Sequence, residues 1–182
     1  MNIQRKNQPN YIILTGGMGV GKSTVLEQLA THDIQTVSEP ARQILAEQRE
    51  IGGDGLPERN ETLFCDLLLS RSINLYTSMQ QVRDPVIFDR GIPDVISYMN
   101  LFKLNADTAI NAAQTFRYHA SVFFLEPWQE IYTNDDERKM TYEEAVAFSN
   151  DVRKVYETLG YSIIDVPRLA PSERAQFILD SI

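Results

Sequence analysis

Residues Gly16 to Ser23 read Gly-Gly-Met-Gly-Val-Gly-Lys-Ser, and Thr24 follows. Gly16 and Gly21 stand five apart, with a lysine and a hydroxyl residue directly after the second glycine. In that spacing a loop can turn its backbone N–H groups inward around phosphate oxygens. The flanks fit the same reading. Tyr11–Thr15 is an apolar run of strand-forming residues, and Val25, Leu26, Leu29 and Ala30 share one face of a helix. Strand, glycine turn and helix N-terminus in that order aim the positive end of a helix dipole at the bound anion. Gly16, Gly17, Met18, Gly19, Val20, Gly21, Lys22, Ser23 and Thr24 are therefore the expected nucleoside triphosphate site. Lys22 would reach the outer phosphates, and the Ser23 hydroxyl would ligate Mg²⁺.

A strand-loop-helix start restricts what the rest of the chain can do. Further short apolar runs occur at Ile34–Ser38, Pro85–Phe88, Val122–Leu125 and Ser162–Val166. Between the strand candidates lie helical patterns at Lys22–Thr31, Pro40–Glu50, Glu61–Gln81, Ile92–Phe102, Ala106–Arg117 and Thr141–Leu159, with a last one at Ser172–Leu179. Thr141 and Glu144 have the spacing of a capping box, and Gly160 is a natural stop for the long helix before it. Alternating strands and helices imply an α/β fold: a mainly parallel sheet covered on both faces. The 182 residues read as one domain, 1–182, with residues 1–10 as a polar N-terminal tail.

Bulk properties narrow the partners. A net charge of −8 argues against a general nucleic-acid binder, which needs a basic face. The single cysteine, Cys65, permits no intrachain disulfide and sits in an apolar stretch. Two histidines and no Cys/His cluster argue against structural zinc. No apolar run has the length of a membrane span, and the polar start does not resemble a secretion signal. The expectation is a cytoplasmic protein, without membrane or nucleic-acid partners, and compatible with a homodimer.

In parallel α/β sheets, ligands sit beyond the C-terminal ends of the strands. Asp89 closes the apolar strand Val86–Phe88, as a Mg²⁺-orienting carboxylate does opposite a phosphate loop. Arg90 follows it where many hydrolytic ATPases place a second, water-activating carboxylate. A cation there favours transfer chemistry with clamped phosphates. Glu39 ends the second strand candidate and is placed to take a proton from a substrate hydroxyl. Arg42, one helical turn on, would bind a substrate phosphate or pair with Glu39 at the surface. The segment of about 126–140 carries Trp128, Tyr132 and a run of charges, and reads as a lid or as a solvated turn. As a lid it would bring Arg138, with Lys139 second, onto the transferring phosphoryl group. Arg71 and Asp94 are further substrate-side candidates; a helix-edge salt bridge and simple packing are their alternatives. Tyr98 shares the Asp94 face, four residues on. Gly52–Pro57 reads as a surface loop, or as one that closes over substrate.

Together, Gly16–Thr24, Ser38-Glu39-Pro40-Ala41-Arg42, Phe88-Asp89-Arg90-Gly91 and Trp128 to Arg138 resemble the AAA-type ATPase/kinase family. That family contains the ribosylnicotinamide kinase domain of bacterial NAD-biosynthesis regulators; thymidylate and deoxynucleoside kinases are more distantly similar. The resemblance covers Tyr11 to about Leu179. It implies a five-stranded parallel sheet of order 2-3-1-4-5, and ATP with Mg²⁺ at Gly16–Thr24. It also implies Glu39 as catalytic base, Asp89 and Arg90 as metal-orienting acid and phosphate-side cation, Lys22 at the phosphates, and Arg138 on the lid. The function expected is a kinase moving the γ-phosphoryl of ATP to a small nucleoside- or nucleotide-like acceptor. The alternative is a regulatory ATPase, a nucleotide-dependent switch acting through a protein partner.

Overall fold

Tyr11 and Ile13 are buried in one apolar cluster, while Ile12 and Leu14 are buried in a second. The same alternation separates Val86 and Phe88 from Ile87, and Val122 and Phe124 from Phe123 and Leu125. Successive side chains of a strand point to opposite faces, so a strand apolar at every position must be covered on both. The sequence thus dictates three layers.

The computed structural model describes residues 5–132 and 140–182. Among them the elements are, in order, β1 (Lys6–Asn7), β2 (Tyr11–Gly16), α1 (Lys22–Ala30), β3 (Gln35–Val37), α2 (Pro40–Glu50) and α3 (Glu61–Ser78). There follow β4 (Val86–Asp89), α4 (Ile92–Leu101), α5 (Asp107–Thr115), β5 (Phe116–Arg117) and β6 (Ser121–Leu125). A 3₁₀ turn at Gln129–Ile131 precedes α6 (Tyr142–Thr158), β7 (Ser162–Asp165) and α7 (Pro171–Leu179).

The main sheet has five parallel strands in the order β3-β4-β2-β6-β7. Counted among these strands alone the order is 2-3-1-4-5, as the family resemblance implied. Helices α2 to α6 cover one face and α1 with α7 the other. The expected strands and helices all occur, with ends shifted by a few residues.

Two differences have clear causes. Within the stretch read as a polar tail, Lys6–Asn7 pairs in parallel with Phe116–Arg117, which ends the helix expected to run to Arg117. The buried Tyr76 ring supports this small sheet, its one hydroxyl proton shared between the Lys6 and Arg117 carbonyls at 3.0 and 2.9 Å. The last helix starts at Pro171, with Ala170 as N-cap, because Glu173 accepts from the Ala170 N–H at 3.1 Å. The capping box of Thr141 and Glu144 forms as read, and Gly160 adopts φ 79° just past α6.

Candidate active site

Gly16 ends β2 in the middle of the sheet with φ 141°, and a Cβ there would stand 2.2 Å from the Leu125 carbonyl oxygen. Only glycine lets the chain leave the sheet against β6 at this point. Gly19 and Gly21 also have positive φ, 71° and 83°. The turn delivers Lys22 as the first residue of α1, its side chain folded back so that Nζ donates to the Gly17 carbonyl at 3.0 Å. Burial, and then the charge of Arg90, pull the Lys22 ammonium down to about 8, although Asp89, Glu39 and Asp94 oppose them. At neutral pH the ammonium stays mostly charged, poised to leave a carbonyl for a phosphate. Ser23 and Thr24 are exposed at the rim.

Asp89 lies at the end of β4, next to β2. Its Oδ1 is buried without a hydrogen-bond partner. Burial, against the pull of Lys22, lifts its carboxyl to about 6, and the charge of Glu39 adds to the rise. A buried, unpartnered carboxylate oxygen lining the same cleft as the Ser23 hydroxyl and the phosphate loop fits a hydrated Mg²⁺, which would restore its lost solvation. Mg²⁺ keeps most of its waters and takes few protein ligands. Ser23 and Asp89 would be the protein donors of such an ion; no cluster of three or more His, Cys, Asp or Glu able to hold a metal exists among the described residues.

Arg90 follows Asp89 at the floor of the site. It takes a left-handed backbone, φ 65°, and its N–H donates to the Leu14 carbonyl at 3.0 Å. The guanidinium is buried beneath the phosphate loop. It donates from Nη1 to Gly16 O at 2.7 Å and to Asp94 Oδ1 at 3.0 Å, and from Nη2 to Gly17 O at 3.2 Å. Nε lies 3.0 Å from Glu39 Oε1, an ion pair between a buried guanidinium and a largely buried carboxylate. Arg90 therefore braces the loop and holds Glu39 beside it.

Asp94 packs, which was its alternative reading, although it also lines a small cavity with Glu39 and Tyr98: it is 2% exposed and accepts from Thr15 Oγ1, Arg90 Nη1, the Gly91 N–H and the Tyr156 hydroxyl. Four donors satisfy a buried carboxylate fully, and Asp94 anchors Arg90 from below. Arg71 pairs with Glu47 at 3.0 Å, the helix-edge bridge that was its alternative, and does not line the cleft.

Glu39 stands immediately before α2, its side chain 17% exposed. Tyr98 donates its hydroxyl to Glu39 Oε1 at 2.9 Å. Burial alone would raise the Glu39 carboxyl, but Arg90, Lys22 and the Tyr98 hydrogen bond together hold it below the ordinary carboxylate value. It is a charged acceptor at neutral pH. Arg42 is exposed on α2 at the cleft wall.

One cleft of about 1250 Å³ joins these groups. The phosphate loop, Asp89 and Arg90 form its floor, Glu39 and Arg42 one side, Phe64, Tyr98 and Phe102 the far wall, and Trp128 with Arg174 the other end. The Gly52–Pro57 loop is tied down: Arg59 donates to the Gly52 and Gly53 carbonyls, Gln48 accepts from the Gly55 N–H, and Leu56 is buried. Pro57 and Glu58 reach the cleft edge. Arg138 and Lys139, expected on the lid, lie outside the described residues.

Sequence reasoning missed Thr15, Tyr156 and Arg174. Nothing local marks the first two. Arg174 carried a weak signal, a charge one turn before Ile178 on the buried stripe of α7.

A model of the AAA domain family matches residues 11–174. The chain belongs to the AAA domain family. No curated protein matches the chain. Among solved structures, this AAA domain is similar to deoxyadenosine kinase from M. mycoides with dCMP and a flexible dCDP bound, at 15% identity and TM-score 0.69 over 94% of this chain and 97% of that one. It is similar to the NadR protein in complex with NR, at 14% identity and TM-score 0.71, over 98% of this chain and 51% of that one. Shikimate kinase from Acinetobacter baumannii, in complex with shikimate, matches at 19% identity and TM-score 0.52 over 94% of this chain and 91% of that one. At such identities the likeness concerns the kinase-like fold of this AAA domain. No helix among its described residues is long and apolar enough to cross a membrane.

Proposed function

We propose that the protein is an ATP- and Mg²⁺-dependent kinase that phosphorylates a hydroxyl of a small nucleoside- or nucleotide-like acceptor. The observation that carries this reading is the ionised Glu39, held beside the phosphate loop by Arg90 and facing the same cleft as Lys22 and Asp89. Gly16–Thr24 would hold the triphosphate, and Ser23 and Asp89 the metal, which neutralises phosphate charge when bound. Glu39 would accept the hydroxyl proton as the acceptor attacks, and Lys22 would balance the charge spreading over the transferred group. The aromatic wall of Phe64, Tyr98 and Phe102 suits a flat acceptor ring. The kinase-like fold of its neighbours supports the same class.

The test is to incubate protein, Mg-ATP and a panel of nucleosides and nucleoside monophosphates, then look for a phosphorylated acceptor by mass spectrometry. One acceptor that raises ADP release and carries the added phosphate supports the kinase. ADP formed at one rate whatever the acceptor favours the switch-like ATPase instead.

Asp89 should show a conflict between function and stability. A carboxyl raised by burial strengthens the fold while protonated, and this contribution is lost as pH rises through about 6. Asp89→Asn removes the buried charge. Its melting temperature without ligand at about pH 7.5 should rise by on the order of 5 °C. Its Mg²⁺-dependent turnover should fall at least about 100-fold. Calorimetry and the transfer assay read the two effects separately, and a lower melting temperature would contradict the electrostatic account.

Tyr98→Phe should leave ATP binding unchanged and lower turnover about threefold to tenfold. One of the groups holding the Glu39 carboxyl down is then gone. The Glu39 carboxyl should titrate at higher pH, read by side-chain carboxyl NMR, and an unmoved Glu39 titration would show that Tyr98 does not act through Glu39.

A further inference from the structure

The end of the cleft beyond the phosphate loop contains a charged residue that the proposed chemistry does not use. Arg174, on α7, is 5% exposed. Its guanidinium donates from Nη1 to the Val20 carbonyl at 3.2 Å and from Nε to the Leu169 carbonyl at 2.7 Å. The ring of Trp128 lies under it, with the guanidinium carbon 5.0 Å from the ring. Burial lowers the affinity of Arg174 for its proton, yet an arginine remains charged at any ordinary pH.

Val20 is the loop residue just before the left-handed Gly21, which gives α1 its start. In a phosphate loop the N–H groups turn in toward the anion while carbonyls turn out, and an outward carbonyl needs its own donor. Arg174 supplies that donor, from a helix over 150 residues away in sequence. The guanidinium is planar and has several donors in fixed directions, so it can hold Val20 and Leu169 together while its face rests on the indole.

We infer that Arg174 is a positioning residue for the phosphate loop. It fixes the Val20 peptide so that the neighbouring N–H groups point at phosphate, and Trp128 and Leu169 fix Arg174 in turn. Polyphosphate affinity thereby depends on the C-terminal helix. This rests on the reading of Gly16–Thr24 as a phosphate site, but not on kinase activity.

The experiment separates support of the loop from contact with a nucleotide base by titrating two probes, Mg-ATP and Mg-tripolyphosphate, which has no base. The variants are Arg174→Lys and Arg174→Met, with melting temperatures recorded. Arg174→Met should weaken both probes equally, by about tenfold. Arg174→Lys, which keeps the charge but not the fork, should recover only part of the loss. In the unmodified protein the emission of Trp128, the one tryptophan in the chain, should change on adding tripolyphosphate. This measurement needs no variant. Loss of Mg-ATP affinity with tripolyphosphate affinity kept would overturn the inference and make Arg174 a base contact. A lower melting temperature with both affinities kept would also overturn it, leaving a packing role alone. Unmodified protein that binds neither probe would refute the phosphate site itself, and the inference with it.

Discussion

Lys22→Met is expected to reduce Mg-ATP affinity by at least about 100-fold and to bring phosphoryl transfer below detection. The side chain is the right one to lose. Its ammonium is buried, carries charge at neutral pH despite a value near 8, and is parked on the Gly17 carbonyl at 3.0 Å. Moving from that carbonyl to a phosphate costs little, because Arg90 Nη2 also donates to Gly17 O. The carbonyl is not orphaned when the lysine swings away. Methionine has a stem of similar length, so the packing of α1 should survive.

The loss of charge has a second effect. Lys22 lowers the carboxyls of both Asp89 and Glu39. Without it both should titrate higher, Asp89 above its value of about 6, and the metal side of the site weakens at neutral pH. Lys22→Arg should rescue little: a planar fork cannot occupy the place of a compact ammonium inside a closed loop. Isothermal titration with a non-hydrolysable ATP analogue, at two pH values, checks both effects. Affinity within a factor of about three of the unmodified protein would refute this role for Lys22.

Local chemistry made the sheet and the loop legible. Gly16, Gly21, Lys22 and Ser23 have fixed spacing because backbone geometry fixes it, and strands buried on both faces must be apolar at every position. Asp89 and Glu39 followed from the rule that strand ends face the ligand. The strand order came from family resemblance, since periodicity says nothing about which strand lies beside which. Arg90 and Asp94 were found as residues, but their partners were not. Their direction depends on the left-handed backbone at Arg90 and on partners far away in the chain, Thr15 and Tyr156 among them. Pairings across 60 or more residues leave no mark in a local window. The Lys6–Asn7 strand escaped notice for the same reason, as its support is Tyr76 and Phe116–Arg117.

Glu39→Gln should spare Mg-ATP binding to within about a factor of two while cutting phosphoryl transfer by about 10² to 10⁴. The amide keeps the shape of the carboxylate and can still accept from the Tyr98 hydroxyl, so the pocket should not collapse. What disappears is a negatively charged proton acceptor and its ion pair with Arg90. Arg90 keeps Gly16 O, Gly17 O and Asp94, enough to hold the phosphate loop without Glu39. That redundancy makes the two predictions separable: loss of Lys22 strikes nucleotide binding, and loss of Glu39 strikes only the step after it. Glu39→Asp gives a finer reading. Its carboxylate is still a base but is withdrawn by one methylene, so turnover should fall less than with glutamine, and the acid limb of the profile should persist. In Glu39→Gln the acid limb should lose the steepness that Glu39 adds and keep the part set by Asp89, which titrates at about 6. If Glu39→Gln weakened ATP as strongly as Lys22→Met, Glu39 would be acting through Arg90 on the loop rather than on the acceptor hydroxyl. The division of the cleft into a phosphate side and a proton-accepting side would then be wrong.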